Sequence, residues 1–339
     1  MSLISKTIHK LIAFSQFVSN NSFQNHFNFE NKHKSNTKKV YVFSVAWGDY
    51  LDNYFNSTVP SIFQSSNLPA LAAEEFDISL VLYTLEDPEK VSEKYRAIID
   101  KYMPDNFTIE KIETNQAIVK YIMNVALLRF FRKAIDDNAL FIWAPPDIIF
   151  SNGSLYNSVM SVYYKGVCFA SMPVRVEIDI LKDESVKAMI EKGTVISSPK
   201  LVEIGLKNLH ENFIYANDEL DENTTHYGVS IRKITDQIYN VIGNMPSVWV
   251  AKPLEEDYRY FFNIGDFNQW DRGWLELLVK RNRLKIGGSS DQFFCVELTK
   301  NDMSFMAKKQ KGQLGNDYSG DGFATRVCNM VNVIWRTDI

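Results

Sequence analysis

The stretch FIWAPPDIIFSNGSL, Phe141 to Leu155, constrains the fold more than any other part of the chain. Phe141, Ile142, Trp143 and Ala144 form an apolar run of the kind that ends a buried strand. Pro145 and Pro146 stop it, because neither donates a backbone N–H to a sheet ladder. Asp147 is held between Pro146 and the apolar triplet Ile148–Ile149–Phe150. Ser151–Asn152–Gly153–Ser154 predicts a turn and a helix N-cap. A carboxylate at the carboxyl end of a buried strand stands where open α/β sheets bind ligands. A turn aspartate that caps its own backbone is the competing reading.

Around that stretch the pattern alternates between strand and helix. Val40 to Val45 is β-branched and aromatic, a strand. It runs into the loop Ala46–Trp47–Gly48–Asp49 and a helical segment from Tyr50 to Gln64. Phe76 to Tyr83 is a second buried strand. Asp87 followed by Pro88 makes an N-cap and first helical position. The helix after it places Val91, Tyr95, Ile98, Ile99 and Tyr102 on one face. Phe107 to Ile112 alternates as a short strand, and Asn115 to Ala134 reads as a long helix. The β-α-β-α-β-α-β order predicts a mostly parallel central sheet with helices on both faces, an α/β fold.

The chain has 339 residues, 45% of them hydrophobic and 23% charged, the make-up of a globular protein with a sizeable core. A net charge of −4 argues against a general nucleic-acid binder. Cys168, Cys295 and Cys328 are odd in number and widely spaced. They suggest neither a disulfide framework nor a zinc site, and point to a reducing cytoplasm. Residues 1–39 read as a polar leader or linker. Their Lys-tipped segment is compatible with peripheral contact at a membrane surface. No apolar run is long enough to span a bilayer. Residues 40–339 read as a single domain, with 40–165 as a nucleotide-binding half and 166–339 as an acceptor-side half.

The loops after the first strands open on one edge of such a sheet. They carry Ser44, Trp47 and Gly48, then Thr84 and Glu86, then Asp147 and Asn152. An aromatic ring, hydroxyls and a carboxylate converging on one crevice suit a nucleotide. Neither Gly-x-Gly-x-x-Gly nor Gly-x-x-x-x-Gly-Lys follows the first strand, which disfavours dinucleotide oxidoreductases and P-loop enzymes.

The strand ends SVAWGDY and LVLYTLED, with the long helix before FIWAPPDIIFSNGSL, resemble the GT-A-fold glycosyltransferases. In that family an apolar strand ends in an Asp-x-Asp motif that holds a divalent cation on the sugar-nucleotide diphosphate. Pro145–Pro146–Asp147 takes its place here, so only Asp147 matches. The resemblance implies a nucleotide-sugar donor as co-substrate and a glycan or lipid-linked acceptor. It leaves two routes open at the diphosphate. Asp147 holds Mg²⁺ or Mn²⁺ with water and phosphate, or basic residues and helix ends neutralise the leaving group without a metal. A nucleotidyltransferase of related fold is the alternative enzyme, though Trp47–Gly48 lacks the basic loop expected of one. A non-catalytic carbohydrate- or nucleotide-binding module is the alternative outside catalysis.

The second half gives weaker signals. Gly166 to Val176 reads as one strand that brings Arg175 near the crevice. Ser198–Pro199 opens a helix, with His210 near its end as a partner for the helix dipole. His226 lies in a polar loop. Phe261 to Trp274 is dense in aromatics. Asp266 and Asp271 with Trp270 and Trp274 read as a sugar-binding surface or as a core hairpin with turn aspartates. Gly287–Gly288 permits close backbone approach before Asp291. The resemblance makes Asp291 and Asp266 the candidate catalytic residues facing the acceptor. Lys308 to Lys311 reads as a phosphate-contacting loop or a solvated turn.

Overall fold

The computed structural model describes residues 37–103, 105–113, 119–210, 229–243, 246–265, 267, 270, 273–299 and 331–337. In chain order, β1 (Lys39–Val45) enters helix α1, which runs Asp49–Asn53, then a π-helical turn Tyr54–Thr58, then Val59–Ile62. The π turn lies just upstream of Pro60, whose missing N–H interrupts the helical ladder. Next come α2 (Leu68–Ala73), β2 (Asp77–Thr84), α3 (Pro88–Lys94), α4 (Arg96–Tyr102) and β3 (Phe107–Lys111). Then follow α5 (Val119–Asp136), β4 (Leu140–Trp143), β5 (Ile148–Phe150) and α6 (Ser154–Lys165). β6 (Cys168–Ser171), β7 (Val174–Glu177), α7 (Glu184–Lys192) and α8 (Ser198–Lys207) precede β8 (Val229–Lys233), β9 (Ile238–Gly243) and β10 (Ser247–Ala251). The chain continues with α9 (Glu255–Ile264), α10 (Gly273–Lys280), β11 (Leu284–Ile286), β12 (Cys295–Thr299) and β13 (Val331–Arg336).

Seven strands form the central sheet in the order β11-β6-β10-β4-β1-β2-β3. All are parallel except β10, which runs antiparallel to both β4 and β6. The expected α/β class and mostly parallel sheet are therefore present. Crossovers β1–β2 and β2–β3 advance one way along the sheet, and β3–β4 returns the other way. Right-handed crossovers then place α1, α3 and α4 on one face and α5 on the other. On the α5 face Phe130 stacks on Phe43 at 4.4 Å and meets Phe141 edge-on at 5.5 Å. The sheet draws β6, β10 and β11 from the second half of the chain, so the two halves are interleaved in one sheet.

Two expected elements divide. The helix from Pro88 breaks at Tyr95 into α3 and α4, with Asp87 Oδ1 accepting from the N–H groups of Glu89 and Lys90 at its start. The strand expected over 166–176 splits into β6 and β7. β6 joins the central sheet, whereas β7 joins β5 and β12 in a small sheet of order β5-β12-β7. Pro173 lies between them and cannot continue a ladder. One face of the small sheet, with Ile149, Val174, Val176, Val296 and Leu298, packs in a second core with Val186 and Met189 of α7 and Leu201 and Val202 of α8. β13, β9 and β8 form a third sheet.

The aromatic run near Trp270 is core, not a sugar platform. Trp270 and Trp274 are buried and pack 4.5 Å apart, and both touch Phe131 and Phe261. The chain here is helical, α9 and α10, rather than a hairpin. Among the described residues no helix is long and apolar enough to cross a membrane. Cys168 and Cys295 are buried free thiols, and burial pushes Cys168 up to about 12.

Candidate functional site

The strand order reverses between β1 and β4. From β1 the chain moves outward to β2 and β3, then returns to lay β4 on the opposite side of β1. At such a switch point the loops after the two strands diverge and leave a crevice at the carboxyl edge. Phe43 lies opposite Trp143, and the Ala144 N–H donates to Phe43 O at 2.9 Å. The crevice is thus bordered by Ala46–Trp47–Gly48 on one side and Ala144–Pro145–Pro146–Asp147 on the other.

Glu86 joins the first border to the β2 loop. Its Oε1 accepts from the Gly48 N–H at 2.7 Å, and its Oε2 accepts from the Thr84 hydroxyl at 2.7 Å. Both carboxylate oxygens are therefore engaged in bracing the loops. Gly48 has φ +56° and ψ −135° and is exposed, with open space where a Cβ would stand. Glycine suits it for its backbone angle, not for crowding. Trp47 is half-buried against the core beside it. Ser44 and Thr84 are fully enclosed, and Ser44 Oγ has no hydrogen-bond partner. Of the residues expected at the nucleotide, Trp47 and Gly48 are the ones that present themselves at the edge.

A polar ladder on α1 and the turn after it holds the second border. Thr58 Oγ1 lies 3.1 Å from Pro145 O and 2.9 Å from Ile148 O. Ser61 Oγ accepts from the Phe150 N–H at 3.1 Å, and Gln64 Nε2 donates to Phe150 O at 2.7 Å. Asn67 Nδ2 donates to Ser151 O, and its Oδ1 accepts from the Leu155 N–H, both at 3.1 Å. Asn152 completes the clasp: its Oδ1 accepts from the Ser66 N–H at 2.8 Å and its Nδ2 donates to Ser66 Oγ at 3.1 Å. That geometry gives Asn152 a bracing job, and neither end of its amide is turned to a ligand. Thr58, Ser61 and Gln64 recur every third residue in a segment otherwise rich in buried apolar groups. This periodicity is the one signal in the sequence that marks them.

Asp147 is half-buried at the head of β5, and its backbone O accepts from the Leu298 N–H at 2.7 Å. Glu297 pairs across the small sheet with Ile148 on one side and Arg175 on the other. Arg175 Nε lies 3.3 Å from Glu297. Asp147, Glu297 and Arg175 are thus neighbours around the small sheet. Desolvation, then the Glu297 charge, push Asp147 up to about 7, while Arg175 pulls it down. Arg175, expected from the sequence near the crevice, is exposed beside Glu297. Glu297 carries no such signal, because one charged position in an alternating strand looks like an ordinary exposed face.

The remaining candidates lie elsewhere. Asp291 is exposed and ion-paired with Arg336 Nη1 at 3.0 Å. It precedes β12, whereas Asp147 meets the far end of that strand at Leu298; the three residue steps from Cys295 to Leu298 alone span ~10 Å. Asp266, Asp271, His226 and Lys308 to Lys311 lie outside the described residues. His210 follows α8 (Ser198–Lys207). It is buried three residues past the helix, its N–H donates to Arg175 O, and its Nε2 lies 3.9 Å from Glu177.

Among the described residues no group of three metal-ligating side chains is gathered. Asp147 and Glu297 are neighbouring acidic groups, and burial, then the Glu297 charge, raise the Asp147 carboxyl. The donor set thus fits Mg²⁺ or Mn²⁺ only if phosphate oxygens or water supply the other positions.

No protein-family model matches the chain, and no characterised protein matches it in sequence. Among solved structures it is similar to 4-diphosphocytidyl-2C-methyl-D-erythritol synthase from Anaerococcus prevotii DSM 20548, at 11% identity and a TM-score of 0.35, over 82% of this chain and 99% of that one.

Proposed function

We propose that the protein is a glycosyltransferase that moves a sugar from a nucleotide-sugar donor to a glycan or lipid-linked acceptor. The observation that carries this reading is the switch point between β1 and β4, which sets the Trp47–Gly48 loop across from Asp147. The base and ribose would lie against Trp47 and the exposed Gly48 backbone, held in shape by Glu86. The diphosphate would lie toward Asp147, with Glu297 and Arg175 as its neighbours. A divalent cation bound with the diphosphate through Asp147, and through Glu297 if it turns inward, would neutralise charge on the departing nucleotide. Without a cation, Arg175, whose charge acts on Asp147, would serve the same task.

A panel of nucleotide sugars, screened by thermal shift and then for transfer with and without Mn²⁺, tests the reading. One donor at a hundred times its Kd should stabilise the protein by about 2.7 kcal/mol. Sugar transfer should then follow with the correct acceptor class. Tight donor binding without turnover would favour a binding module. Release of pyrophosphate from a nucleoside triphosphate and a sugar phosphate would favour a nucleotidyltransferase.

Trp47 supplies a separate test of the base position. Trp47→Ala should weaken nucleotide binding by ~1–3 kcal/mol if the indole stacks on the base. Affinity measured per folded molecule, alongside the melting temperature, separates this from a packing role. An unchanged affinity with a lowered melting temperature would assign Trp47 to the core alone.

A further inference from the structure

We infer that Thr58 is a positioning residue for Asp147; the inference rests on the proposed role of Asp147 at the donor diphosphate. Thr58 is fully buried at the end of the π turn in α1. Its Oγ1 lies within hydrogen-bond distance of Pro145 O and Ile148 O, the carbonyls on either side of the Pro146–Asp147 pair. A hydroxyl carries one proton, so the two carbonyls share it. The result is a short staple that closes the loop from beneath and sets the direction in which the Asp147 side chain leaves it.

The two prolines alone do not fix that direction. They restrict φ at 145 and 146, but leave the ψ angle of Pro146 and both angles of Asp147 to be set by contacts. Three contacts are available. The Ile148 N–H donates to Pro145 O at 3.4 Å and closes the turn itself. The Leu298 N–H holds Asp147 O from the small-sheet side, and Thr58 holds the flanking carbonyls from the α1 side. α1 also begins at Gly48, on the opposite border of the crevice. The same helix therefore fixes the spacing between the nucleotide-side loop and the carboxylate. A π turn, often found at functional sites, gives the helix the register that brings Thr58 under the loop.

The test compares Thr58→Val, which keeps the shape and removes the hydroxyl, with Thr58→Ser, which keeps the hydroxyl. In Thr58→Val, kcat per folded molecule should fall roughly 10- to 100-fold, as expected for a reacting group displaced by about an ångström. The donor KM should change by less than about threefold, since the nucleotide contacts are untouched. Thr58→Ser should keep kcat within about twofold of wild type, the rescue expected when the hydroxyl is what matters. A crystal structure of Thr58→Val should show the Asp147 carboxyl displaced. Wild-type kcat in Thr58→Val, an equal loss in both variants, or an unmoved Asp147 would each overturn the inference. Absence of turnover in the wild-type protein would instead count against the proposed function, and the position of Asp147 in the variant structure would still decide the role of Thr58.

Discussion

Asp257→Ala is expected to lower stability by about 3–5 kcal/mol, the cost of breaking a buried ion pair by removing one partner. Asp257 is wholly buried in the first turn of α9. Its Oδ2 accepts from Arg283 Nη2 at 2.8 Å and from the Leu254 N–H at 2.8 Å. Its Oδ1 accepts from Trp274 Nε1 at 2.8 Å and Arg283 Nη1 at 3.1 Å. Alanine would leave the Arg283 guanidinium, only 13% exposed, with Glu256 as its remaining carboxylate partner at 2.9 Å. The indole N–H of Trp274 would lose its acceptor as well. The bonds link α9, α10 and the start of β11 at the edge of the sheet opposite the crevice, so nucleotide affinity per folded molecule should not change. Thermal unfolding should show a loss of roughly 4–7 °C for a chain of this length. The double variant Asp257→Leu/Arg283→Met should recover part of it, because an apolar pair needs no compensating charge. A melting temperature within a degree or two of wild type would show that the pair contributes nothing net.

This network is illegible in the sequence for the same reason as the clasp around Asp147. Asp257 and Arg283 are 26 residues apart, and each alone looks like an ordinary surface charge on a helix or turn. By contrast, β1, β2 and β4 are readable because a parallel strand buried on both faces is a continuous apolar run. The expected strand 40–45 and the observed Lys39–Val45 differ by one residue. The aromatic segment around Trp270 is ambiguous, because ring density alone cannot tell a stacking platform from a core. The seven-strand sheet decides it, since β4 needs a cover on its α5 face and Trp270 packs on Phe141 and Trp143 there. The antiparallel insertion of β10 leaves no local trace, for Ser247–Ala251 has the composition of any buried strand. Asp147 itself is found from local chemistry, a carboxylate behind two prolines at a strand end. Glu297 and Thr58 are not, since what assigns them is register and proximity across 150 and about 90 residues of chain respectively.

Asp147→Asn should reduce sugar transfer at least ~100-fold, about 2.7 kcal/mol in barrier, with the fold intact. Asparagine keeps the shape of the side chain and its hydrogen-bonding capacity, and removes the charge that would hold a cation on the diphosphate. Added Mn²⁺ should recover part of the loss. The folded state should not suffer. Desolvation and Glu297 raise the Asp147 carboxyl from 3.8 to about 7. Below the ordinary value both folded and unfolded chains hold the proton, and Asp147 contributes nothing to pH dependence. Between that value and about 7 the folded chain keeps a proton that the unfolded chain has released, so stability falls as pH rises through this window. Above about 7 both states have lost it and the loss is complete. The asparagine side chain has no such titration. In metal-free buffer the variant should therefore show a flatter stability profile from about pH 4 to about pH 7, and melt no lower than wild type at about pH 8. That comparison prevents a drop in transfer from being mistaken for unfolding. A turn aspartate that only caps Ser151–Ser154 would be replaced by asparagine with little effect, because the two residues cap comparably. Near-normal transfer by a well-folded Asp147→Asn protein would remove the carboxylate from the donor site. Arg175 and the helix ends would then be left to neutralise the diphosphate, and the case for a metal-assisted transferase would fall with it.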